Sequence, residues 1–522
     1  MKTVIMILMA MVMATGTLYG QATDQPPPIP SEEQPEVLTR GPINEAFAQP
    51  VNLEEESGFI APKAPPADIE ETPPEERPIG EQFAWIPGYW AWDSDRNEYI
   101  WVSGCWRAVP PGKYWVPGYW TEVADGWRWV AGFWAPVSSK EIEYLPAPPA
   151  VTYVEPTVTA VPDRIWVPPC WYWSYGRYTL RAGYWIDARE DWVWVPSHYV
   201  WTPRGYVFVS GHWDYPLHSR GVLFAPVYFP WDVYTRVRFS YSLSIVIDIG
   251  NLEFGLFTRP RYCHYYFGDY YDSFYIGIGI FPWFECVSRH TWYDPIYLHD
   301  RWRHRKDGPH WRQHEQREYA RRRDDKNLRP PRTYREMERR VRNMTESQRR
   351  NFEVAVPMKR HMKKNTTTSN FRQNKTEVRG QITRHADDVH RYVRERSKPE
   401  SSVTVRKTSR PVTESVPSAE RGETHAPMEL KRPDMKLSER GESSLRERTH
   451  SREVPTRGRE SSMSSGRQEK ALNVSRGEEK QDRSNNEEVQ NSPVVEKQKD
   501  RSFRKRPSFQ PAEERGERKH RR

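Results

Sequence analysis

The sequence lacks the signatures of most enzymes and of membrane-spanning proteins. It contains no HExxH zinc-protease motif, no GxSxG nucleophile motif and no Walker phosphate loop. Beyond the first 22 residues it has no run of 18 apolar residues, so we expect no further segment to span a bilayer. A mean hydropathy of −0.90 and 46 prolines argue that globular structure does not fill all 522 residues. We therefore predict a non-enzymatic protein without a cofactor or metal.

Two weaker patterns do not change that prediction. Residues 93–98 (DSDRNE) begin like a calcium loop but lack its glycine and its bidentate glutamate, which favours a polar hairpin turn. Four histidines between residues 290 and 310 lie near Asp294 and Asp300. Without an i, i+4 pair or a cysteine partner, they are typical of solvated surface histidines and not of a metal site.

Cysteine is scarce, and its chemistry stays open. The four residues are Cys105, Cys170, Cys263 and Cys286. In an oxidising compartment they permit two disulfides in one of three pairings. The alternative is buried free thiols, and the spacing does not choose between the two.

The N-terminus predicts export. Lys2 precedes a short apolar stretch from Val4 to Met13, and small residues follow, with cleavage expected after Gly20 or Ala22. We predict a signal peptide over 1–22 and a mature protein in the periplasm, at the cell surface or secreted. An uncleaved anchor is the alternative.

Charge divides the remaining chain. Residues 301–522 contain 59 Lys+Arg and 35 Asp+Glu, a net of +24, whereas residues 1–300 contain 20 and 35, a net of −15. Of 23 tryptophans, 21 precede residue 301. We predict a disordered Pro/Glu-rich linker over 23–80, a charged helical region over 306–356 with a capping box at residues 345–348, and a disordered basic tail over 357–522.

A hexapeptide recurs eight times between these regions, and seven of its copies have an aromatic residue near each end. The copies read WIPGYW at 85, WVSGCW at 101, WVPGYW at 115, WVAGFW at 129, WVPPCW at 166, LRAGYW at 180, WVPSHY at 194 and FVSGHW at 208. Most starts are 14 residues apart, one interval is 16, and 37 residues separate the fourth copy from the fifth. We define a first repeat set (81–137), a linker (138–165), a second repeat set (166–215) and a Tyr/Phe/Gly-rich β region (216–305).

The period of 14 predicts strands joined by tight turns. Pairing the last aromatic of each copy with the first of the next gives a mainly β fold, an antiparallel meander of two four-stranded sets. The predicted turn centres are polar or turn-forming throughout: Asp95-Arg96, Pro110-Pro111, Ala124-Asp125, Tyr175-Gly176, Arg189-Glu190 and Pro203-Arg204.

The hexapeptide residues are predicted to be structural. The two aromatic residues stand at the first and sixth positions of a copy, so a regular strand would point them to opposite faces of the sheet. Either both faces are covered, or the Pro-Gly step is a bulge that re-aims the second ring. The prolines favour the bulge. The repeat residues are Trp85, Gly88, Trp90, Trp101, Gly104, Trp106, Trp115, Gly118, Trp120, Trp129, Gly132, Trp134, Trp166, Trp171, Gly183, Trp185, Trp194, Gly211 and Trp213.

The eight copies resemble the WXXGXW (also called YXWGXW) repeat of exported bacterial proteins. The stretch RPRYCHYYFGDYY…YDPIYLHDRWRHR resembles the segment that often follows these repeats, so the resemblance covers about residues 85–305. It implies an architecture and export, but no reaction, because the family has no established activity. The second set departs from the pattern: Pro169 and Ser197 replace glycine, Leu180 and Phe208 replace the first tryptophan, and Tyr199 replaces the last.

Two surfaces could carry a binding function. Tryptophans outside the repeat could stack on the rings of a polysaccharide, or they could be core; these are Trp92, Trp127, Trp173 and Trp192. The basic segment favours an anionic envelope component, or self-association with the acidic front half. Specific nucleic-acid binding is not expected. We expect a cell-envelope or surface scaffold and binding protein, with a polysaccharide-binding module as the alternative.

Overall fold

The structure is a computed structural model that describes residues 34–53, 58–151, 163–236, 239–252, 255–350, 352–364, 371–401 and 425–429. The predicted signal peptide and most of the predicted basic tail lie outside these residues. Among the helices of the described part, none is long and apolar enough to cross a membrane.

Antiparallel strands dominate the described residues, which confirms the mainly β prediction. The strands before the repeats are Glu36–Val37, Gly41–Pro42, Val51–Asn52, Ile60–Ala61, Glu70–Thr72 and Glu76–Pro78. The strands after them are Gly221–Leu223, Val227–Tyr228, Ser240–Ser242, Ile245–Ile247, Leu256–Arg259, His264–Phe267, Phe281–Pro282, Trp292–Tyr293, Ala355–Pro357, Phe371–Gln373 and His425–Glu429. The α-helices are Trp231–Tyr234, Ser273–Gly277, Cys286–Arg289, Pro295–Arg303, Pro309–Asp324, Tyr334–Val341, Glu346–Arg350, Met358–Lys364 and Thr376–Ser401.

Two neighbouring hexapeptides fold together into one long hairpin. The first hairpin (83–108) has strands Phe83–Ile86, Tyr89–Asp93, Glu98–Val102 and Cys105–Ala108. The second (113–136) has Lys113–Val116, Tyr119–Val123, Gly126–Val130 and Phe133–Pro136. The third (164–187) has Arg164–Val167, Cys170–Ser174, Arg177–Arg181 and Tyr184–Asp187. The fourth (193–214) has Val193–Val195, His198–Thr202, Gly205–Val209 and His212–Asp214.

The register of the hairpins confirms some predicted pairings and corrects others. In the first hairpin Trp90 lies opposite Trp101, as predicted. The predicted pairing of Trp106 with Trp115 does not form, because the second copy returns along the first and places Trp106 opposite Trp85. The pairing of Trp185 with Trp194 fails for the same reason, as Trp185 lies opposite Trp166 and Trp194 opposite Trp213. Each set is therefore two hairpins and not one continuous meander.

The turns within the hairpins follow the predicted chemistry. In the third hairpin Tyr175 and Gly176 both have positive φ, 51° and 74°. Two consecutive positive φ values are typical of a type I′ turn, whose twist suits a two-residue hairpin loop.

The structure corrects the bulge interpretation of the Pro-Gly step. Trp85 lies opposite Trp106 and Trp90 opposite Trp101, and the same number of residues separates the two pairs on each strand. Neither strand has the extra residue that defines a bulge. The two pairs face opposite sides and enter different hydrophobic clusters, so both faces of the hairpin are covered.

The repeat glycine provides space for an indole ring from the facing hexapeptide. A Cβ at Gly104 would lie 2.4 Å from Cζ2 of Trp85, and one at Gly88 would lie 2.6 Å from Nε1 of Trp101. The same contact recurs in the other hairpins: Gly118 under Trp129, Gly132 under Trp115, Gly183 under Trp166 and Gly211 under Trp194. None of these six glycines has the left-handed φ that would by itself favour glycine. We call this contact the glycine crossing.

The prediction of a disordered linker over 23–80 is wrong for its described residues. Residues 34–53 and 58–80 form an arm with short strands, and Leu38, Ile43 and Phe47 are buried in it. The low mean hydropathy of the arm concealed these anchors, because its acidic residues and prolines dominate the average.

The C-terminal prediction also needs correction. Thr376–Ser401 forms a 26-residue helix that buries Ile382, Ala386 and Val389. Of the predicted tail, the structure describes residues 357–364, 371–401 and 425–429, and the rest of the prediction lies outside the described residues. The capping box is confirmed, since Thr345 N donates to Gln348 Oε1 at 2.9 Å and Gln348 N to Thr345 Oγ1 at 3.4 Å.

We predict that Gly132 and Trp115 are energetically coupled. Gly132→Ala should cost about 1–3 kcal/mol of unfolding free energy, because the new methyl group displaces the ring of Trp115. The cost should be at least about 0.5 kcal/mol smaller in the background Trp115→Phe, where the ring is smaller. Chemical denaturation of the four proteins measures the coupling. Gly277→Ala is the control, since a Cβ there meets no atom within 4 Å. If the loss of unfolding free energy in the double variant equals the sum of the losses in the Gly132 and Trp115 single variants, the crossing is contradicted.

Candidate functional site

A buried glutamate of the arm closes the crossing of the first hairpin. Glu71 Oε1 accepts hydrogen bonds from Trp101 Nε1 at 2.7 Å and from Gly104 N at 2.8 Å. Its Oε2 accepts from Gly88 N at 3.0 Å. The strand ladder is interrupted at these glycines, so the carboxylate satisfies the N–H groups that the ladder leaves.

A second arm glutamate does the same for the second hairpin. Glu45 Oε2 accepts from Gly132 N at 2.9 Å, and Oε1 accepts from Trp129 Nε1 at 3.3 Å. Gln49 Nε2 donates to the same oxygen at 3.0 Å. Glu45 and Glu71 are both buried. In each hairpin the indole that covers the glycine of the first copy also donates to the glutamate.

The third and fourth hairpins lose the glycine and the facing tryptophan together. In the third hairpin Pro169 replaces the glycine of the first copy, and Leu180 replaces the tryptophan of the second. In the fourth hairpin the corresponding residues are Ser197 and Phe208. Gly211 N donates to Ser197 Oγ at 2.9 Å, so a hydroxyl group of the repeat itself takes the place of the arm glutamate as the acceptor.

The two glutamates are titratable groups in unusual surroundings. Burial raises the pKa of Glu45 to about 8, although the hydrogen bonds from Gly132, Trp129 and Gln49 act in the opposite direction. Burial raises the pKa of Glu71 as well, against the donors of Trp101 and the two glycines.

The long C-terminal helix packs against the second hairpin beside its crossing. Arg396 Nη1 donates to Pro117 O at 2.9 Å, and Arg396 Nε donates to Glu400 Oε1 at 2.8 Å. The hydroxyl of Tyr144 donates to the same oxygen at 2.6 Å, and that of Tyr119 donates to the other oxygen of Glu400. Arg396 and Glu400 are completely buried, so this contact is part of the core.

A cavity of about 200 Å³ lies between the first two crossings and this helix. Its walls are Trp90, Trp115, Trp120 and Trp129. Its remaining lining includes Asn44, Glu45, Pro65, Pro66, Asp68, Pro87, Gly88, Pro117, Gly118, Val389, His390, Val393, Arg394 and Ser397.

The repeat tryptophans divide by set. In the first set all are buried except Trp120, which is partly exposed. In the second set all are partly exposed: Trp166, Trp171, Trp185, Trp194 and Trp213. The first set is therefore packed as core, whereas rings of the second set reach the surface.

The predicted glycan-stacking residues do not form one surface. Trp92 is buried and packs edge-on against Tyr99 at 5.2 Å, so stacking on a ligand is wrong for this residue. Trp127, Trp173 and Trp192 are partly exposed. Trp173 packs against Tyr178 at 4.8 Å in the third hairpin, where Tyr175 at the turn is fully exposed.

The cysteines and histidines contribute no cluster. All four cysteines are free, with Cys105 and Cys286 buried, which is the free-thiol alternative. Within the described residues, no group of three or more His, Cys, Asp or Glu side chains could hold a metal ion. His299 is buried with Nε2 against the carbonyl oxygens of Arg189 and Glu190, and His304 stacks on Trp311 at 5.1 Å.

Comparison with protein families matches the repeats. The model of the WXXGXW repeat (2 copies) matches residues 83–107, 114–135 and 189–213, which are the first, second and fourth hairpins. The chain contains WXXGXW repeats. The two-copy unit of this family corresponds to the structural unit of the chain, since two copies make one hairpin. The third hairpin lies outside the match but has the same register. No curated protein and no solved structure matches the chain significantly.

The sequence predictions missed the buried glutamates of the arm and of the long helix. Glu45, Glu71 and Glu400 lie in segments predicted to be disordered. A local signal existed, since Glu45 lies in the largely apolar stretch PINEAFA and Glu71 lies two residues after the apolar Ile69. The charged average of the surrounding segments outweighed that signal.

We predict that Glu71 is required for stability, whereas its neighbour Glu70 is not. Glu71→Ala leaves three donors without their partner, at about 1–3 kcal/mol for each donor that water cannot reach. The expected loss of unfolding free energy is several kcal/mol. Glu70 is exposed, so Glu70→Ala should change stability by less than about 0.5 kcal/mol. Equal midpoints of denaturant unfolding for the two variants would refute the role of Glu71.

The raised pKa of Glu45 predicts a pH dependence. The folded state binds a proton more tightly than the unfolded state, whose reference pKa is 4.5. The stabilisation is therefore fully present below 4.5 and is lost as the pH rises to about 8. Relative to Glu45→Gln, the wild type should lose stability between about pH 5 and about pH 9. Comparison with Gln removes the contributions of the other titrating groups, and parallel pH profiles of the two proteins would disprove the assignment.

Proposed function

We propose that the protein is an exported, non-enzymatic scaffold and binding protein of the cell envelope or surface. Its repeat hairpins and arm form a rigid β platform. Its basic C-terminal half holds this platform on an anionic envelope component.

The location of the positive charge carries this proposal. Residues 301–401 contain 30 Lys+Arg and 14 Asp+Glu, so +16 of the +24 net charge belongs to a region that the structure describes largely as helices. The remaining +8 belongs to residues 402–522. Much of the cation excess is therefore on a folded surface, where its position relative to the platform is fixed.

One helix presents this charge as a stripe. Arg335, Arg339 and Arg342 lie at i, i+4 and i+7 along and just beyond helix Tyr334–Val341, and all three are exposed. The opposite side of the helix buries Met337 and Val341 in the core. Arginines in this arrangement can contact a flat polyanionic surface together.

The buried titratable groups of the platform support a non-catalytic role. Glu45, Glu71 and Glu400 each accept several hydrogen bonds from the backbone or side chains of the fold. Their observed contacts are with elements of the architecture.

We predict that the Arg stripe supplies salt-sensitive anchoring. The triple variant R335Q/R339Q/R342Q should bind anionic-lipid vesicles and a polyuronate resin about 100-fold more weakly, since each arginine near such a surface contributes about 1 kcal/mol. The matched control is Arg164, Arg177 and Arg181 changed to Gln, an equal loss of charge on the exposed strands of the third hairpin. Equal binding by both variants on both probes would contradict the proposal.

The exposed rings of the third hairpin favour a second candidate, polysaccharide binding. Trp171, Trp173 and Tyr178 are all partly exposed, and Trp171 and Trp173 lie two residues apart on one strand. Retention of the protein on an insoluble neutral polysaccharide should persist at high salt and be lost in Trp173→Ala. Trp231→Ala is the control, because Trp231 is 72% exposed but lies outside the repeats.

A further inference from the structure

The cavity between the first two hairpins exists because of the glycine crossings. Gly88 and Gly118 both line it, and each follows a proline of its hexapeptide. A side chain at either glycine would meet an indole within 3 Å, so the space beside the crossing cannot be filled from these positions. The cavity is thus a product of the repeat and not a random packing defect.

Its walls combine aromatic rings with a few polar groups. Trp90 and Trp120 belong to the two facing hairpins and are linked, since Trp120 Nε1 donates to Trp90 O at 2.8 Å. Asn44 and Glu45 line the cavity from the arm, whereas His390 and Arg394 line it from the long helix. His390 Nε2 lies 3.2 Å from Gly88 O, which fixes the imidazole beside the crossing.

From this chemistry we propose that the cavity binds a single pyranose ring of a neutral glycan. Indole rings can contact the C–H faces of such a ring, and the polar side chains of His390, Arg394 and Ser397 on the long helix can bond its hydroxyls. A volume of about 200 Å³ is below the roughly 300–1,000 Å³ of pockets that hold larger ligands, which limits the occupant to about one ring. This inference rests on the proposed glycan binding and names a site for it other than the third hairpin.

The long helix offers a way to close the cavity. Val389, Val393 and Ser397 occur at i, i+4 and i+8, so one face of the helix forms the roof. Val393→Trp should fill the cavity from that face. Glu395→Trp places the same ring on the exposed side of the same helix and is the matched control.

The test uses the full chain with cellobiose and N,N′-diacetylchitobiose as probes. Titration calorimetry and saturation-transfer NMR should detect binding of at least one disaccharide to the wild type and to Glu395→Trp. Val393→Trp should weaken it by about tenfold or more, a difference of 1.4 kcal/mol. Ser397→Phe, one turn away, repeats the test if Val393→Trp unfolds.

Each outcome decides between the sites. Unchanged binding by the two filled variants overturns the cavity site. Loss of binding in Trp173→Ala but not in Val393→Trp moves the site to the third hairpin. Absence of disaccharide binding, together with Trp173-dependent retention on insoluble polysaccharide, rejects the cavity and leaves the proposed glycan function intact.

Discussion

The packing of an indole ring over a glycine is the constraint on which the first two hairpins depend. The ring of Trp85 lies where the side chain of residue 104 would be, and the ring of Trp101 lies where that of residue 88 would be. The strand ladder stops at these positions, and the glycine N–H groups need another acceptor. That requirement explains why an acidic arm is part of the folded platform.

The arm meets this requirement with the carboxyl groups of two buried glutamates, so not every acidic residue of the front half is a surface charge. The side chains of Glu45 and Glu71 are buried partners of backbone N–H groups and are not solvated surface charges.

Buried ion pairs link elements that are more distant in the chain. Asp214 of the fourth hairpin binds Arg107 of the first hairpin at 2.6 Å and Arg220 at 2.9 Å, and all three are buried. Arg107 and Arg220 also donate to the arm, to Ala46 O and Phe47 O.

The sequence could predict the local pairing of the hairpins because spacing and turn chemistry agreed. Trp90 with Trp101 brackets a polar turn, and Tyr175-Gly176 can adopt the two positive φ values of a type I′ turn. The same criteria wrongly supported the pairing of Trp106 with Trp115, because Pro110 and Pro111 between them also suit a turn. That pairing is excluded because the whole second hexapeptide pairs back along the first. The turn residues alone do not reveal this, since it depends on both strands of the hairpin.

The arm and the long helix were missed because composition averages over a segment, whereas burial of Glu71 or Arg396 depends on a few contacts with distant residues.

The departures in the second set become understandable once the crossing is known. At one crossing of each second-set hairpin, a larger residue replaces glycine and a smaller ring or chain replaces tryptophan: Pro169 with Leu180, and Ser197 with Phe208. The loss of the covering indole removes the donor that binds the arm glutamate in the first set, and in the fourth hairpin Ser197 supplies an acceptor from within the repeat. The fourth hairpin therefore does not need the arm to provide an acceptor for Gly211 N. The rings of the second-set hairpins, including Trp171 and Trp185, are partly exposed. One repeat has thus produced a core that is closed by the carboxyl groups of the arm and a second pair of hairpins whose tryptophan rings are partly exposed.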